Sequence, residues 1–230
     1  MNAPGLRIAI LGAESTGKTW LARSLAERLA LHTGLAVTWV PETLREWCDA
    51  AGRTPRRDEQ AAIAAEQARR IDVAAENHAL VLADTTPLAT SVYSEHLFDD
   101  CSLHAAALAW QRGCALTLLT ALDLPWIADG HQRDGPHVRE PVDALLRRLL
   151  IDAQLPWSLI GGQGEARLDA ALDAITPLLR RLDAPRRGLF TRLEAREAAE
   201  PPWRWSCEHC DAPDCEHALR RRVESLPADD

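Results

Sequence analysis

No excess of positive charge runs through this chain: its formal net charge is −8, which removes the general attraction that draws basic proteins to nucleic acid or anionic membrane surfaces. An anionic ligand must therefore be held by a local arrangement. No apolar run is long enough to cross a bilayer, and Met1 to Ile10 has no basic leader segment, so a membrane is not expected and cytoplasm is the expected location. The cysteines do not form the evenly spread framework of a secreted disulfide scaffold. Three of the six crowd between Cys207 and Cys215, which suits a reducing compartment where thiols stay free or bind metal. Cys48, Cys101 and Cys114 stand apart and read as small apolar residues in or near a core. Internal repeats and long low-complexity runs are also missing. Hydrophobic residues make up 47% of the 230 and charged ones 26%, enough to bury the core of one α/β domain with an appendage but not two full enzyme domains.

Periodicity gives the order of elements. Apolar runs at 6–11, 35–40, 80–84, 115–121 and 157–160 read as strands. Helical stripes fall at 18–32, 58–78, 88–98, 102–112, 142–153 and 165–182, with Leu21, Leu25 and Leu29 marking the first. Strands alternating with helices require crossover connections, so a parallel sheet with helices on both faces is expected. Between 129 and 141 the residues turn to glycine, proline, histidine, arginine and acid, and a lid-like surface loop is expected there. The character changes near Asp183, which divides a core at 1–183 from a charged, Cys/His-rich extension at 184–230.

The clearest chemistry lies in Gly12-Ala13-Glu14-Ser15-Thr16-Gly17-Lys18-Thr19, between the first strand and first helix. Two glycines let the backbone curl so that successive N–H groups point inward at phosphate oxygens. Lys18 reaches the β and γ phosphates in such a loop, Thr19 offers its hydroxyl to magnesium, and the helix that opens through Trp20 adds its positive end. ATP with Mg²⁺ is the expected ligand. Asp84 closes the apolar third strand, where its carboxylate would hold magnesium directly or through water. The alternative role is a helix cap beside Thr85 and Thr86.

This P-loop, together with Val40-Pro41-Glu42, Arg45-Glu46, Ala83-Asp84-Thr85 and Leu124-Pro125-Trp126-Ile127-Ala128-Asp129-Gly130, resembles the ribosylnicotinamide kinase domain of the NadR family over about residues 6 to 180. The resemblance implies a P-loop fold akin to nucleoside and nucleotide kinases, and ATP-dependent phosphorylation of the 5′-hydroxyl of nicotinamide riboside. On that reading Glu42, at the carboxyl edge of the second strand, accepts the hydroxyl proton or binds ribose hydroxyls; an exposed acid at a helix start is the plainer alternative. Arg45 holds an anionic or ribosyl group, or forms a surface ion pair worth little. Gln67 contacts base or ribose, or lies on a solvated helix face. Trp126 stacks on a cationic pyridinium ring, or packs in the core as most of the eight tryptophans must. Arg133 and Arg139, in the expected lid, close on the transferring phosphate or stay in water. Gly161-Gly162-Gln163-Gly164 is where adenine would rest, or simply a flexible turn.

The chain departs from the resemblance where an acid often follows the Asp-Thr pair, having Thr86 and Pro87 there. A nucleotidyltransferase segment is not expected before the kinase core, so adenylyl transfer would fall to another protein. In the extension, Cys207, Cys210, Cys215 and His217 offer ligands for structural zinc, though the second half of the pattern is shorter than in common zinc modules. Reduced free thiols and a redox pair are the alternatives. A different class of function also fits the P-loop: a regulatory ATPase or nucleotide-sensing switch that binds a protein or nucleic-acid partner through the tail.

Overall fold

The computed structural model describes residues 4–127, 135–180 and 182. Five strands, β1 (Leu6–Leu11), β2 (Val37–Val40), β3 (Leu80–Asp84), β4 (Leu116–Thr120) and β5 (Trp157–Ile160), form a sheet in the order β2-β3-β1-β4-β5. Every pairing is parallel, so the parallel α/β sheet expected from the alternating pattern, with the P-loop fold implied by the motif and the resemblance, is the one observed. The central strands read as unbroken apolar runs because both faces are covered. Ile8, Ala9, Ile10 and Leu11 are fully buried, as are Leu80, Leu82 and Leu118.

Seven helices accompany these strands among the described residues: α1 (Lys18–Thr33), α2 (Thr43–Ala51), α3 (Gln60–Asn77), α4 (Pro87–Phe98), α5 (His104–Gln111), α6 (Arg139–Asp152) and α7 (Glu165–Leu179). One core cluster joins Leu11 and Leu119 of the sheet to Leu88 and Val92 of α4 and to Val142 and Leu146 of α6. Another joins Val40, Val81 and Ala83 to Ile71 and Ala75 of α3. Helix ends follow local chemistry. Gly34 and Gly52 stop α1 and α2 at positive φ, 67° and 66°, with their N–H groups returned to Ala30 and Cys48.

Two expectations need correction. Helix α2 is an addition to the expected elements, although Leu44, Trp47, Cys48 and Ala51 stand at helical spacing in its nine residues. The 129–141 segment is also not loop throughout: Pro136–Val138 makes a 3-10 turn, and α6 starts at Arg139, ahead of Pro141. Proline in a first helical turn sacrifices no hydrogen bond, because the first N–H groups have no partner within the helix. The intended lid residue Arg139 is thus part of a helix and 9% exposed. No described helix is long and apolar enough to cross a membrane.

The topology decides where a ligand can sit. From β1 the chain crosses to β2 and β3 on one side, then passes to β4 on the other, so the strand order reverses beside β1. Open parallel sheets bind ligands at such a switch point, beyond the carboxyl ends of the strands. The residues Gly12 to Thr19 leave β1 at that point, and register places Asp84 opposite Ile10, just before the loop begins.

Candidate functional site

The loop from Gly12 to Thr19 is shaped by three residues at positive φ, Gly12 (153°), Ser15 (56°) and Gly17 (78°). A Cβ on Gly12 would stand 2.0 Å from the Thr120 hydroxyl, so the end of β4 has grown into the space that glycine leaves. That hydroxyl lies 2.7 Å from Thr16 Oγ1, which donates to the Ala13 carbonyl at 2.8 Å. Gly12→Ala is expected to destabilise the fold by about 2 kcal/mol through this overlap, read as a lower melting temperature; an unchanged melt would mean that β4 yields freely.

Gly17 is the N-terminal cap of α1, which leaves the first N–H groups of that helix directed at the loop's concavity. Lys18 folds back over the loop and donates from Nζ to the Ala13 carbonyl at 2.8 Å. Thr19 Oγ1 donates to Asp84 Oδ2 at 2.6 Å. Asp84 is 1% exposed, and its second oxygen, Oδ1, has no hydrogen-bond partner. Burial raises the Asp84 pKa, against the opposing pull of Lys18, the Thr19 hydroxyl and Arg45. Capping does not explain this residue. Thr86 caps α4, accepting from Leu88 N at 3.3 Å, with Pro87 in the first helical position. An orphaned carboxylate oxygen beside a threonine hydroxyl is a hard-oxygen donor set that suits Mg²⁺.

Glu42 occupies the cap position of α2, yet its side chain makes no capping bond. Removal from water pushes its pKa up; Lys18 and Arg45 pull it down, while Asp84 and Glu14 push it further up. Four charged residues therefore act on Glu42, and Lys18 and Arg45 act on Asp84 as well, at the carboxyl edge of β1, β2 and β3. Glu42, Arg45, Glu14 and Lys18 line a cavity of about 290 Å³. The cavity runs from the phosphate loop toward apolar residues of α2 and α4, among them Leu44, Ala89 and Leu97.

Gln67 is placed otherwise than either sequence reading held. It is 2% exposed and absent from the cavity wall. Its Oε1 accepts from Thr43 N at 2.7 Å, and its Nε2 donates to the carbonyls of Pro41 at 3.3 Å and Thr85 at 3.5 Å. It thereby ties the ends of β2 and β3 to the start of α2 and fixes the backbone on either side of Glu42. Trp126 is also missing from the cavity wall. It belongs to a segment that docks on the P-loop, where Ser15 Oγ donates to Ile127 O and stands 2.9 Å from Ile127 N. Arg139 holds this segment from behind, donating from Nη2 to Leu124 O at 2.9 Å. Arg133, and the tail residues Cys207, Cys210, Cys215 and His217, lie outside the described residues, as does the expected boundary at Asp183.

Arg167 has no counterpart in the sequence reading. Only 1% exposed, it donates to Thr16 O at 3.0 Å and to Gly162 O at 2.8 Å, and pairs with Asp123. Asp123 also accepts from Gly162 N at 2.6 Å. The P-loop, the end of β4 and the 161–164 turn are thus locked through one guanidinium. Burial lowers its pKa, and Asp123 works against that shift. A signal was present: a basic residue in the first turn of a helix opposes the helix dipole, so its placement calls for another partner. Arg167→Met should cost about 3 kcal/mol by stranding the Thr16 and Gly162 carbonyls. Calorimetry would show it as a lower melting temperature, by about 2–4 °C for each kcal/mol.

Elsewhere, Glu95, Cys101 and His104 converge closely enough to share an ion. Arg148 already pairs with Glu95 at 2.7 Å, and burial raises the exposed Cys101's thiol pKa. Of the other described cysteines, Cys48 and Cys114 are buried as expected, the Cys114 thiol being pushed up to about 12.

Residues 7–167 match the model of a family described as an AAA domain. The chain belongs to this family. Among solved structures, this AAA-domain chain is similar to NadR protein in complex with NR, with a TM-score of 0.62 at 21% identity over 75% of this chain and 51% of that one. It thus spans about half the length of the NadR structure. It is also similar to thymidylate kinase from Ehrlichia chaffeensis (TM-score 0.54, 15% identity, 76% and 100% of the two chains). Deoxyadenosine kinase from M. mycoides with bound dATP gives a TM-score of 0.50 at 10% identity, over 74% and 99%. At such identities the likeness establishes the fold. No curated protein sequence matches the chain.

Proposed function

We propose that the protein is an ATP-dependent kinase that phosphorylates the 5′-hydroxyl of nicotinamide riboside or a related nucleoside. The observation that carries this reading is the position of Glu42. Its carboxyl group lies under the influence of Lys18 and Asp84, on the wall of a cavity that continues from the phosphate loop into an apolar recess. A nucleotide switch needs only the loop; the recess beyond Glu42 gives room for an acceptor, which favours a kinase. The neighbouring kinase folds, one of them NadR with bound NR, support the same choice.

Phosphoryl transfer asks the protein to align two oxygens and neutralise charge rather than to form bonds. In the proposed site the P-loop amides and Lys18 hold the phosphates. Glu42 accepts the acceptor's proton, its raised pKa making it a stronger base than an ordinary carboxylate, and Arg45 steadies the sugar or the incoming charge. Thr19 and Asp84 would hold Mg²⁺, which neutralises phosphate charge when bound. Arg133 is retained as a candidate for closing on the phosphate, while Arg139 supports the 124–127 segment. Gln67 positions Glu42.

The test is to incubate the protein with Mg-ATP and a nucleoside panel containing nicotinamide riboside, with Lys18→Ala as control, and to separate the products by chromatography. A 5′-monophosphate formed only by the wild type is the expected result. ATP consumption without any phosphorylated acceptor would overturn the kinase reading in favour of the switch.

A further inference from the structure

The cavity does not end at Glu42. Farther along, its wall includes Cys48, Thr54, Pro55, Gln60, Tyr93 and Leu97. Gln60 opens α3, seven residues before Gln67, so the two share one face of the helix and stand about 10 Å apart along its axis. The three backbone ties of Gln67 place it level with the carboxyl edge of β2 and β3. Because α3 runs back down to the start of β3, its first residue rises beyond that edge, away from the sheet.

Gln60 is as buried as Gln67, at 2% exposure, but Oε1 of Gln60 has no hydrogen-bond partner. A buried amide oxygen without a donor weakens the fold unless something supplies one. A half-turn of the terminal amide would exchange its oxygen and nitrogen, so the side chain can offer an acceptor and a donor side by side. The wall around it mixes the apolar Cys48, Pro55 and Leu97 with the hydroxyl-bearing Thr54 and Tyr93. The cations that line the cavity, Lys18 and Arg45, both act on Glu42, and Arg53, which donates to the Thr54 carbonyl, is held in a two-bond pair with Glu59.

We propose that Gln60 forms a base-reading subsite: it takes nucleosides whose base presents an N–H donor next to an acceptor, as the carboxamide of nicotinamide riboside does, and disfavours a carboxylate in that place. The inference rests on the acceptor reading of the cavity. With a 5′-hydroxyl at Glu42, the ribose bridges the interval to Gln60 and the base edge meets the unpartnered amide. A carboxylate brought to the same point would lack the donor that Oε1 requires and would lose its hydration there.

Nicotinamide riboside and nicotinic acid riboside differ in this one group and are the probes. Their kcat/KM values would be measured for the wild type, Gln60→Leu and Gln60→Glu, each with a thermal melt. The wild type should prefer the amide by about tenfold or more. Gln60→Leu should lower the value for nicotinamide riboside by roughly ten- to a hundredfold, mainly through KM, while moving nicotinic acid riboside little. Gln60→Glu, which keeps an acceptor, should retain the preference. Gln60→Leu should melt no lower than the wild type, since it removes an orphaned oxygen; a melt lower by many degrees would overturn the idea that the oxygen awaits a ligand. An unchanged preference in Gln60→Leu would overturn the subsite while leaving the kinase reading intact. If the wild type phosphorylates no nucleoside at all, the acceptor reading falls and the subsite with it.

Discussion

Replacing Lys18 by alanine should cut acceptor phosphorylation by about a thousandfold or more, equivalent to about 4 kcal/mol of transition-state stabilisation, while the fold survives. The activity loss follows from the loop's geometry. Lys18 carries the ammonium that rests on the Ala13 carbonyl at 2.8 Å, within reach of phosphates held by the surrounding amides. The survival follows from its place in the chain. Lys18 is the first residue of α1, where alanine is an excellent helix former, and only a partly buried hydrogen bond worth about 1 kcal/mol disappears. The electrostatic consequence is separable from both. Lys18 is the strongest of the charges that lower the pKa values of Glu42 and Asp84, so without it both carboxyl groups should hold their protons to higher pH. Quenched-flow or steady-state product assays would measure the first effect and melts across a pH series the second. Activity within tenfold of wild type would remove Lys18 from the chemistry.

How much of this was legible in the residues depended on whether their information was local. The loop from Gly12 to Thr19 was readable because glycine at two fixed positions, followed by lysine and threonine, has a local physical meaning. Asp84 was readable as a charge ending an apolar strand. The sheet followed from the alternation of strands and helices. Gln67 reads as a substrate contact or a solvated face, since a glutamine in an alanine-rich helix does not reveal that backbone groups just past β2, just past β3 and at the start of α2 will surround its amide. Arg167 was missed because its partners, Thr16 and Asp123, are 151 and 44 residues away, and only packing brings them together. Trp126 was singled out for its ring, while the structure leaves it off the cavity wall and places Gln60 and Tyr93 there. The start of α6 was hidden by Pro141, which reads as a breaker until its place in the first turn is known.

Glu42→Gln should separate function from stability. If Glu42 takes the hydroxyl proton, the amide cannot replace it, and kcat/KM should fall by about a hundred- to ten-thousandfold. In the wild type the limb of the pH profile set by this group should lie above the ordinary carboxylate value of 4.5, because burial and the neighbouring acids Asp84 and Glu14 hold the proton on. The same shift has a definite sign for stability. A carboxyl group whose pKa is higher in the folded than in the unfolded chain favours folding while it is protonated. That contribution is complete below the unfolded value and is lost as the pH rises through the folded one. The glutamine variant carries no such group. Its melting temperature should match the wild type near about pH 4 and exceed it by a growing margin toward neutrality, by about 2–4 °C for each kcal/mol of relieved burial. Calorimetry across that range decides the matter: a margin that stays flat with pH would mean that Glu42 is charged at no cost to the fold, and the environment argued for it as a base would be wrong.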